Sequence, residues 1–166
     1  METKSNYKSK LSQFETSLHL AEIQVKYKTK QKEKVAINSS KVAFDILYAL
    51  YNKETIELLE QFYLILLNKA NKMLGWIKLS TGGTSGAIVD VKVIFALALR
   101  TNASKILISH NHPSQNIKPS EEDKKLTELI NEAGKFFNIT LIDHIIVASN
   151  ESYYSFADEG VLMLQK

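Results

Sequence analysis

The sequence predicts an α/β fold, a single domain in which helices flank a mixed sheet. Three observations point there. The run Phe62-Tyr63-Leu64-Ile65-Leu66-Leu67 is apolar at every position, the pattern of a central strand covered on both faces. Strand-like and helix-like segments alternate, but in the irregular order strand, helix, hairpin, helix, strand, helix, strand, strand, which suits a mixed sheet better than a regular βαβ repeat. The chain is 166 residues long, 45% hydrophobic and 23% charged, in keeping with one ordinary globular domain.

Taken in order, residues 1–17 mix Lys, Ser, Glu and Gln without a strong period and read as a frayed arm, leaving 18–166 as the domain. From Ala21 to Lys28 apolar and polar residues alternate, the mark of a half-buried strand whose polar face is rich in lysine, as on an edge strand. Asn38, Ser39 and Ser40 offer N-caps for a helix carrying Val42, Phe44, Ile46, Leu47, Leu50 and Tyr51. The apolar run at 62–67 lies in a strand between Glu60 and Asn68. A turn at Lys69–Lys72 leads to its hairpin partner, Met73–Leu79. The glycine-rich stretch Ser80–Gly86 lacks the Gly-Lys-Ser/Thr ending of a phosphate-binding loop and reads as a turn. A helix is expected over Val91–Thr101, with Val93, Ile94, Leu97 and Ala98 on its inner face. Lys105–Ser109 is a short buried strand, Ser120 opens a helix of about four turns to Phe136, Ile139–Ala148 is a further strand, and Tyr153–Phe156 is the last.

Composition narrows the chemistry. Cysteine is absent, so there is neither a disulfide framework nor a thiolate metal site, and any metal must bind through His, Asp or Glu. No apolar stretch is long enough for a membrane span and Met1–Ser5 lacks a secretory pattern, so a cytoplasmic location is the default expectation. The net charge is +3. Lys26, Lys28, Lys30, Lys32 and Lys34 crowd one segment, which suits a solvated edge or a weak nucleic-acid contact. Arg100 is the lone arginine, and arginine is the usual reader of phosphate and guanine.

The chemically suggestive cluster begins at His110. Residues two apart on a strand share a face, so an extended chain past Ser109 projects His110 and His112 together and turns Asn111 away. Pro113 ends the strand. Ser120-Glu121-Glu122-Asp123 then opens a helix with Asp123 in its first turn, a pattern that serves equally as a capping box. Two imidazoles and a carboxylate leave one position of a tetrahedral zinc for water, the ligand set of a catalytic site. His144, beside Asp143, reads as a hydrogen-bonded structural histidine or as a support behind a ligand, and His19 reads as a surface residue.

His110-Asn111-His112-Pro113-Ser114, with seven residues between His112 and Ser120 and then Asp123, resembles the JAMM signature of MPN-domain metalloproteases, in the form carried by RadC-like proteins. Leu141-Ile142-Asp143-His144-Ile145-Ile146 is similar to that family's Asp-His strand. Tyr154-Ser155-Phe156 with Gly160 is similar to its closing segment, and Gly83-Thr84 to a loop before its second helix. The resemblance spans roughly residues 38–164. It implies the MPN/JAMM (cytidine-deaminase-like) sandwich, with His110, His112 and Asp123 as zinc ligands and Ser120 as a hydrogen-bond donor to the oxyanion. It also implies Glu60, at the head of the apolar strand, as general acid/base, with Glu57 as the fallback. The implied activity is zinc-dependent cleavage of an amide bond in a peptide or protein, and the alternative is a DNA-repair or nucleic-acid accessory role. Two positions depart from the family pattern: Lys92-Val93 stands where an Arg-Glu pair is usual, and Gln115 where glycine is usual. The helix-hairpin-helix region that precedes the domain in longer relatives is expected to be missing, replaced by the basic strand.

Overall fold

Strict alternation along two neighbouring strands divides the core into two layers. Phe62, Leu64, Leu66, Ile106 and Ile108 face one side, and Tyr63, Ile65, Leu67 and Leu107 face the other, as the two-residue period of a strand requires. The computed structural model describes residues 33–82 and 89–162. The predicted arm at 1–17, the strand at 21–28, His19 and residues 83–88 of the glycine-rich stretch lie outside the described residues.

The element order is α1 (Ser40–Leu50), β1 (Gln61–Leu67), β2 (Met73–Thr81), α2 (Val91–Arg100), β3 (Lys105–Asn111), α3 (Glu121–Phe137), β4 (Thr140–Val147) and β5 (Tyr153–Ser155). The strands form one five-stranded sheet in the order β2-β1-β3-β4-β5. Only β3 and β4 pair parallel, joined by the α3 crossover; the other pairs are antiparallel. The sheet is therefore mixed, as expected. Helices α2 and α3 cover one face through Ile94, Phe95, Ala98 and Ile130. Helix α1 covers the other through Ala43, Phe44 and Leu47, joined by Tyr51 and Ile56.

Local chemistry sets the helix limits. Ser39 caps α1 by accepting from the Val42 N–H at 3.2 Å, and Asp90 caps α2 by accepting from the Lys92 N–H at 2.9 Å. Ser120 and Asp123 form a reciprocal capping box on α3, which satisfies two otherwise orphaned N–H groups. At its other end α3 stops on Asn138 in the left-handed conformation. Just before that stop, a Cβ on Gly134 would lie 2.3 Å from the Ile139 carbonyl oxygen, so glycine is what allows α3 to turn closely into β4.

Strand β3 runs past Ser109 to Asn111, as an extended chain ahead of Pro113 requires, because β1 pairs with it to His110 and β4 to Asn111. One expectation needs correction. Val93 is 45% exposed and Phe95 is buried in its place, while Ile94, Leu97 and Ala98 pack against the core as expected.

Candidate metal centre

Extension of β3 carries His110 to the end of the sheet, on the face covered by α2 and α3. Phe62, its partner in the β1–β3 ladder, stacks parallel to it with ring centroids 6.2 Å apart. His112 follows two residues on, its N–H bonded to the Val147 carbonyl at 3.2 Å, so both imidazoles project to the same side as the sequence requires. Helix α3 brings Asp123 to them from above. Asp123 Oδ1 is 3.1 Å from His110 Nε2, Asp123 Oδ2 is 3.5 Å from His112 Nε2, and the two Nε2 atoms are 2.9 Å apart. The ligand atoms of these three residues all lie within 4.8 Å of one another, a spacing suited to one cation.

Hydrogen-bond direction shows what these atoms offer. The Asn116 carbonyl can only accept, so His112 Nδ1, 2.5 Å from it, carries the proton and leaves Nε2 with a lone pair. On the other side, the Thr127 hydroxyl donates its single hydrogen to the Asp123 carbonyl at 2.6 Å and lies 2.6 Å from His144 Nδ1. That hydrogen being used, His144 Nδ1 is the donor and His144 Nε2 the acceptor. His144 Nε2 is 2.8 Å from His110 Nδ1, which places the His110 proton on Nδ1 and a lone pair on Nε2. Both Nε2 lone pairs thus meet a carboxylate, a group of atoms that can hold a cation. Two imidazole nitrogens and one carboxylate oxygen fit a zinc-type donor set.

The electrostatics agree. Burial works against charge on Asp123, but its contacts with His110, His112 and Ser120 outweigh it and hold the carboxyl well below the usual carboxylate range. Burial opposes charge on His112 too, yet Asp123, the Asn116 carbonyl and Glu60 together raise its pKa. Burial holds the His144 pKa well below the usual value, keeping that ring neutral behind the ligand.

Glu60 stands immediately before β1 and is half-buried. Its carbonyl accepts from the Gly82 N–H at 2.8 Å. Phe62 pairs with His110, so continuing the antiparallel register by two residues sets Glu60 opposite His112, and their Coulombic interaction is favourable. Glu57 is elsewhere: it is exposed and accepts from the Ser149 hydroxyl at 2.5 Å. Ser120 reaches the centre through Asp123, whose Oδ2 receives both the Ser120 hydroxyl at 2.6 Å and the Ser120 N–H at 2.7 Å.

Three residues matter more than their sequence context suggested. Asn111, between the two histidines, is buried on the opposite face. It accepts from the Gln61 N–H at 2.8 Å and donates to the carbonyls of Ile56 at 2.6 Å and Leu59 at 3.0 Å. It thereby clamps the backbone on both sides of Glu60; an asparagine at a buried strand position was the available signal. Thr127 lies one turn after Asp123 on the same face of α3, a spacing visible in the sequence. Gln115 adopts φ 65°, which explains why glycine is natural there, and its Oε1 accepts from the Ser149 N–H at 2.7 Å and lies 2.7 Å from the Ser149 hydroxyl oxygen. Lys92 and Val93, the other departure, are exposed. Of Lys26, Lys28, Lys30, Lys32 and Lys34, only Lys34 is among the described residues, and it is half-exposed. No helix among the described residues is long and apolar enough to cross a membrane.

A family model described as RadC-like JAB domain matches residues 37–161. A UPF0758 protein of Flavobacterium johnsoniae is 39% identical over 125 residues, covering 75% of this chain and 53% of that protein. One from Porphyromonas gingivalis is 40% identical over 103 residues, 62% of this chain and 45% of that protein. One from Fusobacterium nucleatum is 36% identical over 140 residues, 82% and 60% respectively. The chain therefore spans about half the length of the curated relatives it matches. The matched span contains every element of the sheet and all three residues of the His-His-Asp centre, and the chain belongs to the RadC-like JAB domain family.

Proposed function

We propose that the chain is a zinc-dependent hydrolase that cuts an amide bond in a peptide or protein, of the metallopeptidase or isopeptidase kind. One observation carries this reading: His110 Nε2, His112 Nε2 and the Asp123 carboxylate converge within 4.8 Å, while Glu60 stands across from His112. His110, His112 and Asp123 would hold the metal. A zinc ion bound there supplies Lewis acidity that makes water nucleophilic near neutral pH.

The chain's own residues do the rest. Glu60 accepts a proton from the attacking water and passes it to the leaving amine, the work of a general base and then a general acid. Ser120 donates its hydroxyl hydrogen to the developing oxyanion. That hydrogen rests on Asp123 Oδ2, but the capping bond uses an Oγ lone pair and the Ser120 N–H still holds the carboxylate. The hydroxyl can therefore turn to substrate while Asp123 keeps its orientation.

The test is hydrolysis of a panel of peptide and isopeptide substrates by zinc-loaded wild type and Glu60→Gln. Glu60→Gln should retain zinc and lose at least about 100-fold in kcat, the usual scale of general acid–base catalysis. No cleavage by zinc-loaded wild type, or equal cleavage by Glu60→Gln, would overturn the reading.

A further inference from the structure

Behind the ligand cluster runs a line of buried hydrogen bonds whose direction is fixed from one end. It starts at the Asp123 backbone carbonyl, which can only accept, and runs through the Thr127 hydroxyl, His144 and His110 over contacts of 2.6, 2.6 and 2.8 Å. Reversing it would set the Thr127 oxygen lone pair against the Asp123 carbonyl oxygen at 2.6 Å, which is repulsive. Thr127 is 4% exposed, His110 1% and His144 0%, so water does not compete along the line.

We infer that Thr127 and His144 are positioning residues that fix the Nδ1–H tautomer of His110 and so present its Nε2 lone pair to a metal. The inference rests on the metal reading of the centre and deepens it. A metal-bound histidine commonly gives its second ring N–H to an acceptor that sets tautomer and ring orientation. A histidine is an unusual acceptor for that bond, because a neutral imidazole can either accept or donate at Nε2. It serves here only because Thr127 holds its other nitrogen as the donor. Thr127 in turn is anchored on the residue whose carboxylate faces the same centre, so α3 sets both Asp123 and the His110 tautomer.

A merely structural His144 would need a partner at each nitrogen but no particular direction. Packing already holds the ring: Phe156 stacks on it at 4.7 Å with an interplanar angle of 11°, and Phe62 lies 6.2 Å away on centroids. Thr127→Val preserves shape and leaves that packing intact while removing the hydroxyl. The His144 ring then stays in place but loses its directional bias, allowing the His110 proton to move to Nε2, where it opposes a metal. Thr127→Ser restores the hydroxyl.

The experiment has two readouts on the full chain. Zinc affinity is measured by competition with a chelating dye, and the ring tautomers of His110 and His144 are read from long-range ¹H–¹⁵N NMR of metal-free protein at pH 8.5. Wild type should show both rings as the Nδ1–H form. Thr127→Val should bind zinc about 10- to 100-fold more weakly, the usual effect of losing such a support, with mixed tautomers. Thr127→Ser should restore both readouts. Unchanged zinc affinity in Thr127→Val, or an Nε2–H His144 in wild type, would overturn the inference. Should wild type bind no zinc, the metal reading fails by itself, and the wild-type and Thr127→Val spectra alone decide whether the line has the stated direction.

Discussion

His110 Nε2 and His112 Nε2 stand 2.9 Å apart, and each ring has already committed its Nδ1 proton to a neighbour. Two lone pairs at that distance, next to a carboxylate, are held together by the fold rather than by attraction for one another. A shared cation converts that repulsion into ligation. The ligand cluster is therefore expected to gain stability when a metal enters.

Zinc should accordingly raise the melting temperature. Metal bound only by the folded state adds about 2.7 kcal/mol at a free concentration 100 times Kd. For a domain of this size that corresponds to a rise of roughly 5–10 °C, which a differential scan should show and a chelator should reverse. An identical melting curve with and without zinc would contradict the expectation.

Asn111 is expected to be the most sensitive polar residue outside the ligand set. Replacing it with alanine leaves the Gln61 N–H and the Ile56 and Leu59 carbonyls without their side-chain partner. Each unsatisfied buried group costs about 1–3 kcal/mol, so urea unfolding of Asn111→Ala should show a loss of at least about 3 kcal/mol. Because the clamp brackets Glu60, hydrolysis should fall more than zinc affinity does. A loss under about 1 kcal/mol would mean that the clamp is dispensable.

At Gln115 two effects oppose each other. The side chain ties the loop after His112 to Ser149, while φ of 65° is strained for any residue with a Cβ. Gln115→Ala loses the bonds and keeps the strain; Gln115→Gly loses the bonds and relieves about 1 kcal/mol of it. Chemical denaturation should therefore rank glycine above alanine by about that amount, with wild type equal to or above glycine. Equal stabilities for the alanine and glycine variants would show that the backbone strain has no weight here.

Asp143 gives a pH dependence with a definite sign. Burial raises its pKa to about 6, only partly offset by bonds from the Ser155 hydroxyl and from the Ala157 and His144 N–H groups. The unfolded value is about 3.9, so the folded state holds the proton more tightly. The associated stability is fully present below about pH 4 and is lost as pH rises through about 6. Measured against Asp143→Asn, which cannot titrate, wild type should lose about 2–3 kcal/mol between pH 4 and pH 7. A constant difference between the two proteins over that range would refute the assignment.

The residues that the sequence made legible are those whose roles follow from local periodicity. Strand alternation sufficed to set His110 and His112 on one face, and the unbroken apolar run at Phe62–Leu67 sufficed for a strand buried on both sides. The capping pattern at Ser120 and Asp123 was also visible, although only the fold shows the carboxylate serving cap and centre together. Asn111, Thr127 and His144 were harder. Their partners are 50 or more residues away for all three of Asn111's side-chain bonds and 17 residues away across two layers for the Thr127–His144 contact, and no local pattern encodes such pairings. Val93 was misplaced for a related reason: an apolar helix residue can face either way, and packing against Phe137 of α3 accompanies the inward turn of Phe95.

The central claim is that His110, His112 and Asp123 together hold one zinc ion, and metal stoichiometry with affinity tests it most directly. Purified wild type, His110→Ala and Asp123→Asn would be compared by elemental analysis and by calorimetric titration with zinc. The account predicts one zinc per wild-type chain and at least about 100-fold weaker binding in both variants, in line with the loss of one of three protein ligands. A wild type that binds no zinc, or a His110→Ala variant that binds it as tightly as wild type, would contradict it.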